Sequence, residues 1–461
     1  MGSTFKYFIL YVFVIFVGCQ TEITTRVVDQ VIIPSHYIVV PDHHFLIQTA
    51  IDSSFAGDTI MVRPGKYYEN IDFSGKDIVL GSQFLLDNNE ELINSTVIDG
   101  VQNGRSVVCF KSNESRDCAL TGFTLKNGNT DYGGGIYIRN SSPTLEHLNI
   151  IDNTAEHTGG GIYMTSDSNP IINSVVVENN VADVGGGISA RQSSFTLVNA
   201  RVNGNNVATS GGGIQCTLSK NIIINNTIIS NNEVTNSQGG GLYLSSVESI
   251  LLNNVSITAN RAFQGGGVYS SLVENFEMTN SVISGNISES QGGGVYSVYG
   301  NDKFSSTLIY GNNASTGGGI YSASYDILLK NITLCNNIAE EIGGVYSSGT
   351  LTIANSIIWG NFGREIEGNL SPITVLYSDI ENGQDSIEVS DINLIQWLDG
   401  NIDLRPNFIN INSGEFGLRP DSPCIDAGTE LFVVDSDTVI NIAPDEFNGD
   451  APDMGAFEFA E

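Results

Sequence analysis

Five tyrosines, Tyr243, Tyr269, Tyr296, Tyr321 and Tyr346, recur at steps of 26, 27, 25 and 25 residues, each placed just after a glycine run and one apolar residue. Tyr137, Tyr163, Ser189 and Gln215 hold the same place upstream. A tyrosine has an apolar ring and a polar tip, so an aligned row has two uses. It stacks on itself and stabilises a sheet, or it offers a platform to a glycan or a partner protein. A second group with chemical capacity is the late run of acids, Asp435, Asp437, Asp445 and Asp450, with Glu446 and Asp453 among them. Oxygen ligands of this type could hold Ca²⁺, although no stretch has EF-hand spacing; the alternative is a solvated acidic cap. No other cofactor is expected. His36, His43, His44, His147 and His157 show no metal-ligand spacing.

Catalytic residues are harder to find. Glycoside hydrolysis needs two carboxylates flanking one bond, and no Asp-Asp or Gly-His-Gly motif of that kind is present. A lyase would need clustered acids for Ca²⁺ and an Arg or Lys base. The central chain carries single acids, such as Asp152, Glu178, Asp183 and Glu248, and scattered arginines, Arg139, Arg191, Arg201 and Arg261. No residue is assigned a catalytic role, and the reading leans away from an enzyme. Six cysteines include no CxxC. Cys109 and Cys118 either pair in an oxidising compartment or serve as small apolar fillers; Cys216 and Cys335 fall in strand positions and are expected to be buried and unpaired.

What must position the tyrosines is a repeat. Glycine runs begin at Gly133, Gly159, Gly185, Gly211, Gly239, Gly265, Gly292, Gly317 and Gly343, in steps of 26, 26, 26, 28, 26, 27, 25 and 26. An apolar residue three before an Asn keeps the same beat, from Ile150/Asn153 and Val177/Asn180 to Leu334/Asn337 and Ile358/Asn361. A fixed period of this length means a solenoid. Each unit holds short β-branched runs, such as Ile136-Tyr137-Ile138, Ile171-Ile172-Asn173 and Val175-Val176-Val177. They read as three strands, too short for helices. Alternation points Ile136 and Ile138 inward and Tyr137 outward. The expected fold class is all-β: a right-handed parallel β-helix with three strands per coil and a cap at each end. Aligned Asn side chains are expected to form a coil-to-coil ladder, with Gly and Asn supplying left-handed corners. Ser270, Ser297, Ser322 and Ser347 align as an inward stack, expected to bond to one another.

The chain has 19 Lys+Arg against 51 Asp+Glu, a net charge of −32. That field opposes nucleic-acid binding. Residues 1–18 read as a signal peptide, with Lys6 before the apolar Phe8–Val17 stretch. Residues 19–35 read as a tether, 36–119 as an N-terminal cap with a short helix within 44–56 and the first coils, 120–365 as regular repeats, and 366–461 as terminal coils and an acidic cap.

The stretch Phe16-Val17-Gly18-Cys19 resembles a bacterial lipobox, with Phe16 where Leu is usual. The resemblance implies lipidation at Cys19 and attachment to a membrane through that lipid alone. The paired markers GG(I/V/L)Y and apolar-x-x-Asn resemble the GGAI and FxxN repeats of polymorphic outer membrane proteins, bacterial surface β-helices associated with adhesion. Here Ile, Val or Leu replaces Phe, and nothing after 365 resembles an autotransporter barrel. Ile47-Gln48-x-Ala50-Ile51 through Gly57-Asp58-Thr59-Ile60 and Val97-Ile98-Asp99-Gly100 are similar to the opening of pectate-lyase-like proteins. Ser422-Pro423-Cys424-Ile425-Asp426-Ala427-Gly428 resembles the closing segment of secreted β-helix proteins. Together these imply an exported or cell-surface protein that adheres to, or binds, a polysaccharide or a host-cell protein. The alternatives are a polysaccharide lyase or hydrolase and a passive surface component.

Overall fold

The computed structural model describes residues 37–101, 103–434 and 437–460. The expected signal segment and Cys19 lie outside them. The repeat folds as expected: a parallel β-helix of about 14 turns. Parallel ladders run residue on residue at the sequence period: Ile136 pairs Ile162, Ile162 pairs Ile188, Ile188 pairs Ile214. The inward column continues through Leu242, Val268, Val295, Ile320 and Val345, all fully buried. Burial of each such side chain stabilises by about 1.5–3 kcal/mol. One continuous core extends from Ile38 to Ile387. At the N-terminal end a helix, Ile47–Ser53, buries Ile47, Ala50 and Ile51.

A regular coil carries three strands, as expected, in Ile136–Arg139, Thr144–Ile151 and Thr154–Thr158 for example, but two of them fall elsewhere than expected. The second and third runs form one ladder, as in Thr144–Ile151, which pairs Ile171–Glu178 along its length. That ladder bends at a left-handed residue, His147 in one coil and Ser174 in the next. A further strand occupies the segment between the Asn and the glycines, as in Thr154–Thr158, and builds a separate 7-stranded sheet. It buries one small side chain per coil, with Val207, Val234 and Ala262 forming a minor cluster, too little alternation to register as a pattern.

The asparagine ladder is present and wholly internal. Asn232 donates its backbone N–H and its Nδ2 to Asn260 Oδ1, both at 3.0 Å, and Nδ2 also to Val202 O at 3.0 Å. Asn260 repeats this toward Asn286 and Ile229. The carbonyl that receives Nδ2 belongs to the apolar residue three before the previous Asn, which explains the paired markers. The left-handed corner residue is not the ladder Asn but the residue before it, Asn231 or Ala259 for example. The glycines follow from the same packing. A Cβ on Gly240 would lie 2.4 Å from Gly266 O, and one on Gly241 would lie 2.9 Å from Asn260 Nδ2.

The serine stack is buried but its bonding differs from expectation. Ser297 Oγ meets Ser324 Oγ at 2.8 Å, and Ser347 donates to Gly349 O. Parallel coils about 4.8 Å apart are too distant for hydroxyls to bond straight up the column. The C-terminal segment lies along the flank of the stack. Phe408, Phe416, Cys424 and Met454 pack over Leu308, Cys335 and Ile357, and Ala456 N donates to Thr333 Oγ1. Cys216 and Cys335 are buried and free as expected; Cys109 and Cys118 are free as well.

Replacing Asn260 with Ala orphans the Asn232 N–H, the Asn232 amide and the Ile229 carbonyl. Each unsatisfied buried group costs about 1–3 kcal/mol. The unfolding midpoint in denaturant should drop sharply, whereas Glu248→Ala, at an exposed position, should leave it within about 0.5 kcal/mol of the parent.

Candidate functional site

The tyrosine row sits at a concave corner. Gly239 adopts φ +72, and a Cβ on it would lie 2.7 Å from Tyr243 Cβ; Gly292 relates to Tyr296 at 2.6 Å and Gly317 to Tyr321 at 2.8 Å. The glycine turn therefore folds back against the outer base of each tyrosine, and the row becomes the floor of a groove running along the stack. Tyr243, Tyr269, Tyr296, Tyr321 and Tyr346 stack with centroid distances of 5.1, 5.1, 5.3 and 4.6 Å and interplanar angles of 3°, 8°, 5° and 18°. The inward alternation of their neighbours sets this spacing. Apart from the two end faces, beside Gln215 and Glu367, each ring face meets another ring, so the edges and hydroxyls are what the groove presents. All five are half-buried. Burial raises Tyr269, Tyr321 and Tyr296, the last to about 12, so these hydroxyls remain protonated donors.

The row is bordered on two sides, by polar side chains on the glycine side and by a mixed column, with Val298 and Ala323 beside Tyr296 and Tyr321, on the other. On the glycine side Gln238 Nε2 donates to Gln264 Oε1 at 3.0 Å, and Gln264 Nε2 to Gln291 Oε1 at 3.1 Å. On the other side Ser271 and Ser245 continue in register to Thr217, Arg191, Thr165 and Arg139. The arginines that look scattered in the sequence are therefore partly aligned: Arg139 and Arg191 share one column, while Arg201 and Arg261 pair with Glu178 and Glu289 on other faces. Lys111 immediately follows the strand paired with 136–138, and its ammonium meets Asp72 at 2.7 Å. Beside Tyr137 lies a cavity of about 560 Å³, lined by Asp72, Arg105, Cys109, Lys111, Tyr132 and Tyr137 among others. Burial pushes the Cys109 thiol up, so it is an un-ionised thiol rather than a nucleophile. Midway along the floor Ser189 Oγ donates to Gln215 Oε1 at 2.7 Å.

Of the acids expected to hold calcium, Asp445 and Asp450 are exposed, Asp437 opens the second strand of a hairpin, and Asp435 lies outside the described residues. Among the described residues no group of three or more His, Cys, Asp or Glu is arranged around a common metal position.

Among the buried carboxyls that went unnoticed in the sequence are Glu365 and Asp379. Glu365 receives Asn361 N at 3.0 Å and Asn361 Nδ2, taking the place of the next Asn in the ladder. Burial raises it, and Glu381 beside it pushes further in the same direction. Asp379 is fully buried, accepts from Leu404 N at 3.1 Å and Cys424 Sγ at 3.2 Å, and is pushed up to about 7 by burial. The signal for Glu365 was available: it follows the final marker Asn by four residues, where the glycine beat fails.

Neither known protein families nor curated proteins give a match. Among solved structures, the crystal structure of pectate lyase Pel9A is similar at 15% identity, over 92% of this chain and 96% of that one, with a TM-score of 0.32. A likeness at that score carries no argument about activity.

The raised carboxyls have a consequence for stability. The unfolded chain releases these protons near the ordinary value of 3.8 for Asp, whereas folded Asp379 holds its proton to about 7. Across that window the native state binds more protons, so stability falls as pH rises, by roughly 1.4 kcal/mol per pH unit for one such group. Thermal melting should be higher at about pH 5 than at about pH 8, and Asp379→Asn should flatten part of the slope.

Proposed function

We propose that this chain is an exported glycan-binding protein that holds an extended polysaccharide in the tyrosine-floored groove. The observation that carries the reading is the in-register row of stacked tyrosines, which offers protonated hydroxyls at one repeat distance beside a row of glutamine amides. Equally spaced donors suit a ligand that is itself a repeating polymer. Gln238, Gln264 and Gln291 and the facing serines add hydrogen-bonding groups of the kind that read sugar hydroxyls. In a chain of net charge −32, Lys111, Arg139 and Arg191 give one end of the groove a local positive character. That end favours glycans bearing carboxylate or sulfate groups.

A lyase is the second reading, favoured by the cavity beside Tyr137, where Arg105 and Lys111 would serve as bases beside Asp72. Lipid attachment at Cys19 and display at the cell surface complete the proposal. They rest on the lipobox-like segment of the sequence.

A glycan array with neutral and acidic polysaccharides tests the binding reading. The double substitution Tyr269→Ser and Tyr296→Ser should weaken capture by at least about tenfold, or about 1.4 kcal/mol, while unfolding stays cooperative; unchanged capture ends the reading. Arg139→Ala should weaken acidic glycans alone. Release of unsaturated sugar products would transfer the assignment to the lyase, and capture of a surface protein without any glycan would transfer it to a protein adhesin. In the native host, Cys19→Ser should move the protein from the membrane fraction to the soluble one; a protein that stays in the membrane fraction removes the lipid anchor from the proposal.

A further inference from the structure

Behind the tyrosine floor the core changes character. The column occupied by Ile138, Met164, Ala190, Cys216 and Leu244 becomes Ser270, Ser297, Ser322 and Ser347, all buried. One coil also places Asp302 in the inward column between Phe276 and Ile327. Asp302 is 1% exposed, and among the described residues neither of its carboxyl oxygens has a hydrogen-bond partner. The adjacent hydroxyls of Ser297 and Ser324 are bonded to each other, at 2.8 Å. Ser322 Oγ is occupied by Ser324 N. Gly300 has no room for a side chain: a Cβ there would lie 2.6 Å from Val273 O and 3.5 Å from Asp302 Oδ1, so a carbonyl and a carboxylate oxygen border the same spot. Lys303, the next residue, is directed outward to Glu277.

A carboxylate in a dry interior is strongly unfavourable unless something neutralises its charge, and the nearby Ser297 and Ser324 hydroxyls carry none. Between the apolar Phe276 and Ile327, the polar atoms at hand are all oxygen: two carboxyl oxygens, the Ser297 and Ser324 hydroxyls and the Val273 carbonyl. Oxygen sets of this kind suit hard cations. Charge selects among them. A divalent ion would leave a net positive charge buried, whereas a monovalent ion leaves none. We propose that Asp302, Ser297, Ser324 and the Val273 carbonyl form an internal site for one monovalent cation of the sodium type, taken up as the coils close. Burial raises the Asp302 carboxyl to about 6, with the two hydroxyls opposing that rise. The proton is therefore the competing occupant in acid, and the cation the occupant at neutral pH and above.

The full chain, exchanged into tetramethylammonium chloride, provides the test. Thermal melting is followed as Na⁺ replaces the bulky cation at constant ionic strength, which holds general screening of the −32 charge fixed. At about pH 8 Na⁺ should raise the melting temperature by several degrees, with saturation. At about pH 5 the increment should largely vanish as the proton takes the site. Asp302→Asn should remove the Na⁺ increment at both pH values. Ser324→Ala, which keeps the charge and serves if Asp302→Asn does not fold, should move the Na⁺ midpoint several-fold upward. Superimposable curves in the two salts, or an increment that survives in Asp302→Asn, overturn the proposal; melting that depends on pH alone assigns the site to a proton and overturns it as well.

Discussion

A primary amide inside a β-helix corner must satisfy two N–H groups and one carbonyl with no water at hand. Here each ladder asparagine from Asn153 to Asn337 does so with partners in the adjacent coils, as Asn232 shows: an amide oxygen ahead and a main-chain carbonyl behind. No single coil contains both. The interaction therefore exists only in a stack, and only if the coils keep one register. It adds a directional constraint to the non-directional burial of Ile and Val columns. A coil displaced by one residue would put a polar amide against aliphatic side chains and an isoleucine at the surface.

The groove is a by-product of the same constraint. Because the ladder brings Asn260 Nδ2 so close to the main chain at Gly241, no side chain fits there, and the neighbouring Gly240 is closed in by main-chain oxygens. The first glycine then turns the chain sharply enough to overhang the next strand. Whatever stands four residues later becomes groove floor. In five consecutive coils it is tyrosine, and the parallel register sets those rings in contact. The floor is thus built from core rules, while its chemistry is free to vary, as Ser189 and Gln215 illustrate.

The period, the inward columns, the ladder and the tyrosine row were legible because each recurs in phase, and a recurrent signal survives the noise of single positions. The short strands between Asn and glycine were not: with one buried Ala or Val per coil they carry no alternation. The continuity of the long ladder was hidden by the residue at its bend, since His147 and Ser174 look like turn residues and do adopt left-handed angles without breaking the pairing. The basic column was missed because Arg139 and Arg191 are two coils apart, with Thr165 between them. Asp302 was missed for the opposite reason: it occurs once, and an isolated acid in a period-two run reads as an outward residue until the register shows Phe276 and Ile327 on either side. The flank-lying C-terminal segment depends on contacts far apart in sequence, such as Ala456 with Thr333, which no local pattern encodes.

A relay that passes amide to amide has no internal reason to stop. Glu365 supplies one. Its carboxylate accepts twice from Asn361 but, when ionised, has no N–H to hand onward, so the relay acquires a last member. The relay therefore closes inside the stack: Ile358 still pairs Ile380 and Ile366 still pairs Ile387, so further coils cover its last member and continue without it.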